Sequence, residues 1–120
     1  MAAWSVFVAE ADGQRVGFVA IRPLDSHWEV EHLWVLREYH RRGIGRALMG
    51  RAIAHARECG GCVFRIESDP YAESFYRSLG AERVGRVPAP MPSAPDRTLP
   101  LLVLDLSTSD AEHSVRRGTP

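Results

Sequence analysis

The chain has 120 residues, 45% hydrophobic and 25% charged, which suits one globular domain and excludes the disordered, collagen-like and disulfide-dense classes. Fifteen acidic side chains offset fifteen basic ones, so no overall field draws the protein to nucleic acid or an anionic membrane, and any anion site must be local. All fifteen cations are arginine, which removes lysine as a base or Schiff-base nucleophile.

In chain order, Trp4–Glu10 (WSVFVAE) and Arg15–Ile21 (RVGFVAI) are β-rich runs joined by Ala-Asp-Gly-Gln, a natural hairpin. A third strand is expected over Trp28–Leu36, with Trp28, Val30, His32 and Trp34 on one face and Glu29, Glu31, Leu33 and Val35 on the other. The period then changes. From Gly43 to Cys59, Ile44, Leu48, Ala52, Ala56 and Cys59 recur at helical spacing, with Arg46, Gly50 and Arg57 opposite. Cys62–Glu67 reads as a short strand. Asp69 and Pro70 open the next helix as N-cap and first residue, Ala72, Phe75, Tyr76 and Leu79 form its apolar stripe, and Gly80 stops it. Glu82–Val87 and Leu99–Leu106 are the last strands, bridged by the proline-rich APMPSAPD. The expected fold is an α/β (α+β) domain of order β-β-β-α-β-α-β-β over residues 1–106. Residues 107–120 lack apolar periodicity and are expected to form a disordered tail.

The longest apolar runs, such as Leu99–Leu104, fall far short of the roughly 20 residues of a membrane helix. With no charged segment leading into an apolar stretch at the N-terminus, the expected location is cytoplasmic. The two cysteines form Cys59-Gly-Gly-Cys62. They close a helix rather than open one and have no second ligand pair, so they read as small buried side chains about a glycine turn, with no metal expected.

The junction EYHRRGIGRALMG, Glu38–Gly50, concentrates arginine and glycine where the third strand gives way to the first helix. A helix start leaves several backbone N–H groups unpaired and carries partial positive charge. Gly43 and Gly45 lack the Cβ atoms that would keep a phosphate from the amides of Arg42 to Arg46, and Arg41, Arg42 and Arg46 can add charge-assisted bonds. The plainer reading is a glycine turn with surface arginines. A P-loop is excluded because no lysine exists to serve it, and a dinucleotide fingerprint lacks its third glycine, since Leu48 stands there.

The segment HRRGIGRAL after a strand resembles the acetyl-CoA loop of the GNAT family of N-acetyltransferases, with its motif Gln/Arg-x-x-Gly-x-Gly/Ala. ESDPYAESFYRSLGAERVG, Glu67–Gly85, resembles the later family segment in which a short helix carries Ala-x-x-Phe-Tyr before a Leu-Gly turn. The resemblance implies a mixed, mostly antiparallel sheet with helices on its faces. It implies acetyl-CoA as co-substrate, its pyrophosphate held by the backbone of Arg41, Arg42, Gly43, Ile44, Gly45 and Arg46. By the same resemblance the pantetheine runs along Leu33, Trp34 and Val35, in a gap where this strand and Cys62–Glu67 splay apart, with Asp69 and Phe75 beside it. A backbone N–H near Val35 would bind the oxyanion. His40 departs from the usual Gln or Arg, and Asp69 stands where many members have Asn, which leaves the N-cap as its alternative role. The family usually begins with a strand and two helices, whereas this chain starts at the hairpin; the expectation is a reduced member completed by another subunit, as in a homodimer, or a truncated product.

Acyl transfer to an amine needs a base for the amine proton and an acid for the leaving thiolate. The resemblance makes Tyr76 the acid, against the alternative of a core aromatic. Glu31, projecting from the cofactor strand, is the candidate base, with Glu29 in reserve and a solvated strand face as the alternative. His32, alternating with Trp28 and Trp34, and His55, on the apolar arc of its helix, read as packed. The expected function is direct acetyl transfer in a ternary complex to a primary amine: a small molecule, a peptide N-terminus or a protein lysine. The alternatives are a non-catalytic acyl-CoA sensor and a protein-interaction module using its β-edges or the Trp4 side. Acceptor pockets would come from the loops Arg22–His27 and Pro88–Thr98.

Overall fold

A turn with two left-handed residues, Asp12 (φ 53) and Gly13 (φ 78), joins β1 (Ser5–Ala11) to β2 (Gln14–Pro23), as the Asp-Gly pair requires. The computed structural model describes residues 3–107, so the tail expected from 107 onward lies, apart from Ser107, outside the described residues. β3 (Trp28–Val35) follows, then a 3₁₀ turn (Arg37–Tyr39), α1 (Ile44–Glu58), β4 (Val63–Glu67), a 3₁₀ turn (Pro70–Ala72), α2 (Glu73–Ser78), β5 (Glu82–Pro88) and β6 (Thr98–Asp105). The element order is the one expected from the sequence. The second helix is shorter than expected, because Asp69 caps a 3₁₀ turn before the six-residue α2 begins.

The six described strands form one mixed sheet in the order β1-β2-β3-β4-β6-β5. Every pairing is antiparallel except β3 with β4, which are parallel because α1 carries the chain back between them. That pairing is brief. Trp28, Glu29 and Val30 register with Phe64, Arg65 and Ile66, after which the two strands part.

The core lies between the sheet and α1, where Leu48, Met49, Ala52 and Ala56 meet Val19, Ile21, Trp28, Phe64 and Leu102. These are the helical positions with 3.6-residue spacing, so burial of one stripe fixes the helix orientation. The stripe does not extend to Cys59. α1 ends at Glu58, Gly60 turns the chain in the left-handed region (φ 86), and both cysteines are exposed rather than buried. The small residue that packs there is Gly61, where a Cβ would stand 2.6 Å from Trp28 Cδ1.

β3 also departs from simple alternation. Ala20 pairs with His32 but the next residue, Ile21, pairs with Val30, so Glu31 is an extra, bulged residue. The bulge shifts the phase by one. Trp28 and Val30 point to the core before it, Leu33 and Val35 after it, while His32 and Trp34 turn out to the opposite face and are exposed. His32 is therefore not packed with Trp28; its ring lies 5.8 Å from that of Trp4 instead.

Candidate functional site

Where β3 and β4 separate, a cleft of about 600 Å³ opens between the start of α1 and the segment leading into α2. Of the residues singled out in the sequence, Leu33, Val35, Arg41, Gly43, Ile44 and Gly45 line it, joined by Arg46 and Phe75. The side chains of Trp34, Arg42 and Asp69, and those of the catalytic candidates Glu31 and Tyr76, lie outside the lining: Trp34 points to the far face of the sheet, Arg42 stacks on the Tyr39 ring at 4.7 Å, and Asp69 caps its own turn. Tyr39, His40, Tyr71 and Ala72 complete the cleft. Tyr71 was legible in principle, since an aromatic that follows a helix-opening Asp-Pro and does not share the apolar stripe must face outward; it is 95% exposed.

The loop before α1 is built to present backbone donors. Arg41 (φ 67) and Gly43 (φ 81) both take the left-handed conformation, which turns successive N–H groups toward a common side. Gly43 is the N-cap residue, so no side chain accepts from the first turn, and no acidic residue stands within that turn. A Cβ on Gly43 would meet nothing within 4 Å, so the approach is open. Gly45 answers to packing, with its missing Cβ 3.4 Å from the Phe75 ring. The first helical bond, Ala47 N–H to Gly43 O, leaves the earlier N–H groups of the turn unpaired within the helix.

The β3 edge supplies the long wall. Leu36 N–H bonds Val16 O, so by strand alternation Leu36 and Trp34 address β2 while Leu33 and Val35 direct their backbone groups into the gap. One of those groups is taken: His40 Nε2–H donates to Val35 O at 2.8 Å. Arg46, across the cleft, donates to Ser78 Oγ at 3.1 Å, and Ser78 in turn donates to Phe75 O, which ties the first turn of α1 to the end of α2.

Tyr76 is buried in the core cluster, its ring 5.3 Å from that of Phe75. Its hydroxyl has no hydrogen-bond partner among the described residues, and burial pushes its pKa up to about 12. The carboxylates lie on the other face. Glu31 accepts from Arg22 Nε at 2.8 Å, whereas Glu29 is held by Arg65 at 3.0 Å, His27 at 3.3 Å and Arg22 at 3.5 Å. Burial raises the Glu29 carboxyl, but the hydrogen bonds from His27 and Arg65 and the Arg65 charge outweigh it and set it below its ordinary range. The two glutamates thus differ. Glu29 is held by three basic side chains, and Glu31 joins the same network through Arg22, which pairs with both carboxylates. His55, as expected, is structural: it lies 3.2 Å from Ser5 Oγ and meets Trp28 and Phe7 edge-on.

The sequence model of the acetyltransferase (GNAT) family matches residues 1–81. An uncharacterized N-acetyltransferase of Archaeoglobus fulgidus is 41% identical in an alignment that covers 65% of this chain and 60% of that protein, so the chain spans about three fifths of this relative. Among solved structures, a nourseothricin acetyltransferase superposes with a TM-score of 0.78 at 28% identity, over 86% of this chain and 65% of that one. An aminoglycoside 6′-N-acetyltransferase complexed with coenzyme A superposes with a TM-score of 0.73 at 18% identity, over 86% of this chain and 73% of that one.

Proposed function

Because the chain belongs to the GNAT acetyltransferase family, we propose that it binds acetyl-CoA in the cleft between β3 and β4 and transfers the acetyl group to a primary amine. The observation that carries this reading is the uncapped first turn of α1 behind the left-handed Arg41 and Gly43, which leaves main-chain donors for a diphosphate in the same cleft as the free β3 edge. The coenzyme A held by the aminoglycoside acetyltransferase of the same fold supports it.

Acetyl-CoA supplies an acetyl thioester. Leu33 and Val35 direct the backbone groups that bind an amide-bearing arm as a further strand would be bound. Val35 N–H is the donor proposed for the developing oxyanion, which its carbonyl, occupied by His40, cannot disturb. Glu31, outside the cleft lining and paired with Arg22, is assigned the proton of an amine that attacks from its own face of the sheet, taken through water as the N–C bond forms and the C–S bond breaks. Tyr76, with a pKa of about 12 against roughly 8.5 for a thiol, acts as a hydrogen-bond donor to the leaving sulfur; full proton transfer to the thiolate would be uphill. The acceptor remains a small amine, a peptide N-terminus or a protein lysine.

The test is calorimetry with CoA followed by turnover, in which release of free thiol from acetyl-CoA is followed across a panel of primary amines. Heat of binding with amine-dependent thiol release is expected. Binding without turnover would leave an acyl-CoA-binding module in place of the enzyme, and absence of binding by the folded chain would remove the cofactor reading itself.

A further inference from the structure

Besides the bonds from His40 to Val35 O and from Arg46 to Ser78, the loop before α1 is tied to the start of the chain through Tyr39. Tyr39 closes the 3₁₀ turn that precedes the loop, is 8% exposed, and contributes its ring to the cleft lining. Its hydroxyl leaves the cleft and donates to Asp12 Oδ2 at 2.8 Å, while Gln14 Nε2 donates to the same hydroxyl at 3.2 Å. Asp12 lies in the β1–β2 turn and Gln14 opens β2, 27 and 25 residues earlier. On the other side of the ring, Arg42 stacks at 4.7 Å. A single buried phenol therefore connects the hairpin turn, the floor of the cleft and one of the loop arginines.

We infer that Tyr39 is a positioning residue for the cofactor, holding the segment Arg41–Gly43, with its left-handed Arg41 and Gly43, in its donor-presenting shape by anchoring it to Asp12 in the β1–β2 turn. The physical need is specific. Arg41 occupies a left-handed backbone region (φ 67) that is strained for a non-glycine residue, so the loop keeps this shape only where the surroundings determine it. Loss of the anchor lets the loop relax to ordinary conformations, and the ordering is then charged against binding. Asp12 is itself left-handed (φ 53), a conformation aspartate tolerates better than most residues and which directs its carboxylate from the tight turn toward Tyr39.

The inference rests on the proposal that the cleft holds acetyl-CoA, and the experiment separates the two. CoA binding is measured by calorimetry on the full chain and on Tyr39→Phe, Asp12→Gly, Asp12→Asn and the Tyr39→Phe/Asp12→Gly double variant, with melting temperature alongside and, for active protein, KM for acetyl-CoA against kcat. Tyr39→Phe keeps the ring and its arginine, and Asp12→Gly suits the left-handed turn, so both are expected to fold. Each is expected to weaken CoA three- to tenfold and to raise KM for acetyl-CoA at unchanged kcat, the double variant to be no worse than either, and Asp12→Asn, which still offers an acceptor oxygen, to bind as the unaltered chain does. Unaltered protein that binds CoA, with single variants that bind it equally well or effects that multiply in the double variant, overturns the anchor and leaves the cofactor assignment standing. Unaltered, folded protein that fails to bind CoA overturns both.

Discussion

Two strand-to-helix junctions border the same cleft, and they finish their helices in opposite ways. After β4, Asp69 accepts from Tyr71 N–H at 2.8 Å and Pro70 has no N–H to leave unpaired, so that junction satisfies its own donors. After β3, the cap is a left-handed glycine with no side chain, no acidic residue follows in the first turn, and Arg41 and Arg46 border the opening. The first junction needs nothing from outside. The second leaves its first-turn donors without a side-chain cap, which is why the proposed function places the diphosphate at this turn and not at the other.

The largest expected break in that contrast is Gly43→Asp, which gives the β3 junction the kind of cap the β4 junction has. Aspartate accepts the left-handed backbone better than most side chains, so the fold should survive, while a carboxylate at the open end replaces the anion; CoA affinity should fall about a hundredfold by calorimetry, on the scale of one charge-assisted interaction lost and reversed. Affinity within threefold of the unaltered chain would show that the donors do not hold the diphosphate.

Tyr76→Phe tests the chemistry fed by these junctions. Steady-state rates should drop about thirtyfold in kcat with KM for acetyl-CoA unchanged. Because the hydroxyl has no partner among the described residues, the melting temperature should hold or rise slightly, which distinguishes a lost donor from a damaged core.

Asp69→Ala sharpens the comparison from the other side. It should cost about 1 kcal/mol in denaturant unfolding, the value of one N-cap, with CoA affinity unchanged. A large loss of CoA affinity would give Asp69 a role at the cofactor beyond its cap.

The smallest effect concerns pH. Glu29 is held below its ordinary 4.5, so its contribution to stability is complete above about pH 4.5 and is lost as pH falls through the lower folded value. The melting-temperature advantage of the unaltered chain over Glu29→Gln should be constant near neutrality and close below pH 4.5. An advantage that persists to pH 2 would contradict the ion-pair network with Arg65 and His27.

Much of the molecule was legible in its residues. The Asp-Gly hairpin, the α1 stripe at Leu48, Ala52 and Ala56, and the loop His40–Arg46 all follow from short-range rules, because turn dihedrals, helical period and the missing Cβ of glycine act within a few residues. The bulge at Glu31 left a trace as well: Trp28, Val30, Leu33 and Val35 skip one position, a break in alternation that strict period two misassigned, placing His32 and Trp34 with the core residues. The cysteines misled for a related reason. Helical spacing carries Cys59 onto the apolar stripe, but Gly60 ends the helix before that position can be used.

By itself the sequence determined the order of elements, the amphipathic faces and a glycine-marked helix start rich in arginine, since each depends on neighbours along the chain. Only the tertiary structure decided that β3 and β4 part after three paired residues, that Arg42 lies on Tyr39 while Arg41 lines the cleft, that Arg22 and Arg65 gather Glu29, Glu31 and Glu67 on one face, and that the hairpin turn reaches the loop before α1 through Asp12. These contacts join residues far apart in sequence, and their geometry follows from the packing of the whole sheet against α1 rather than from any local preference.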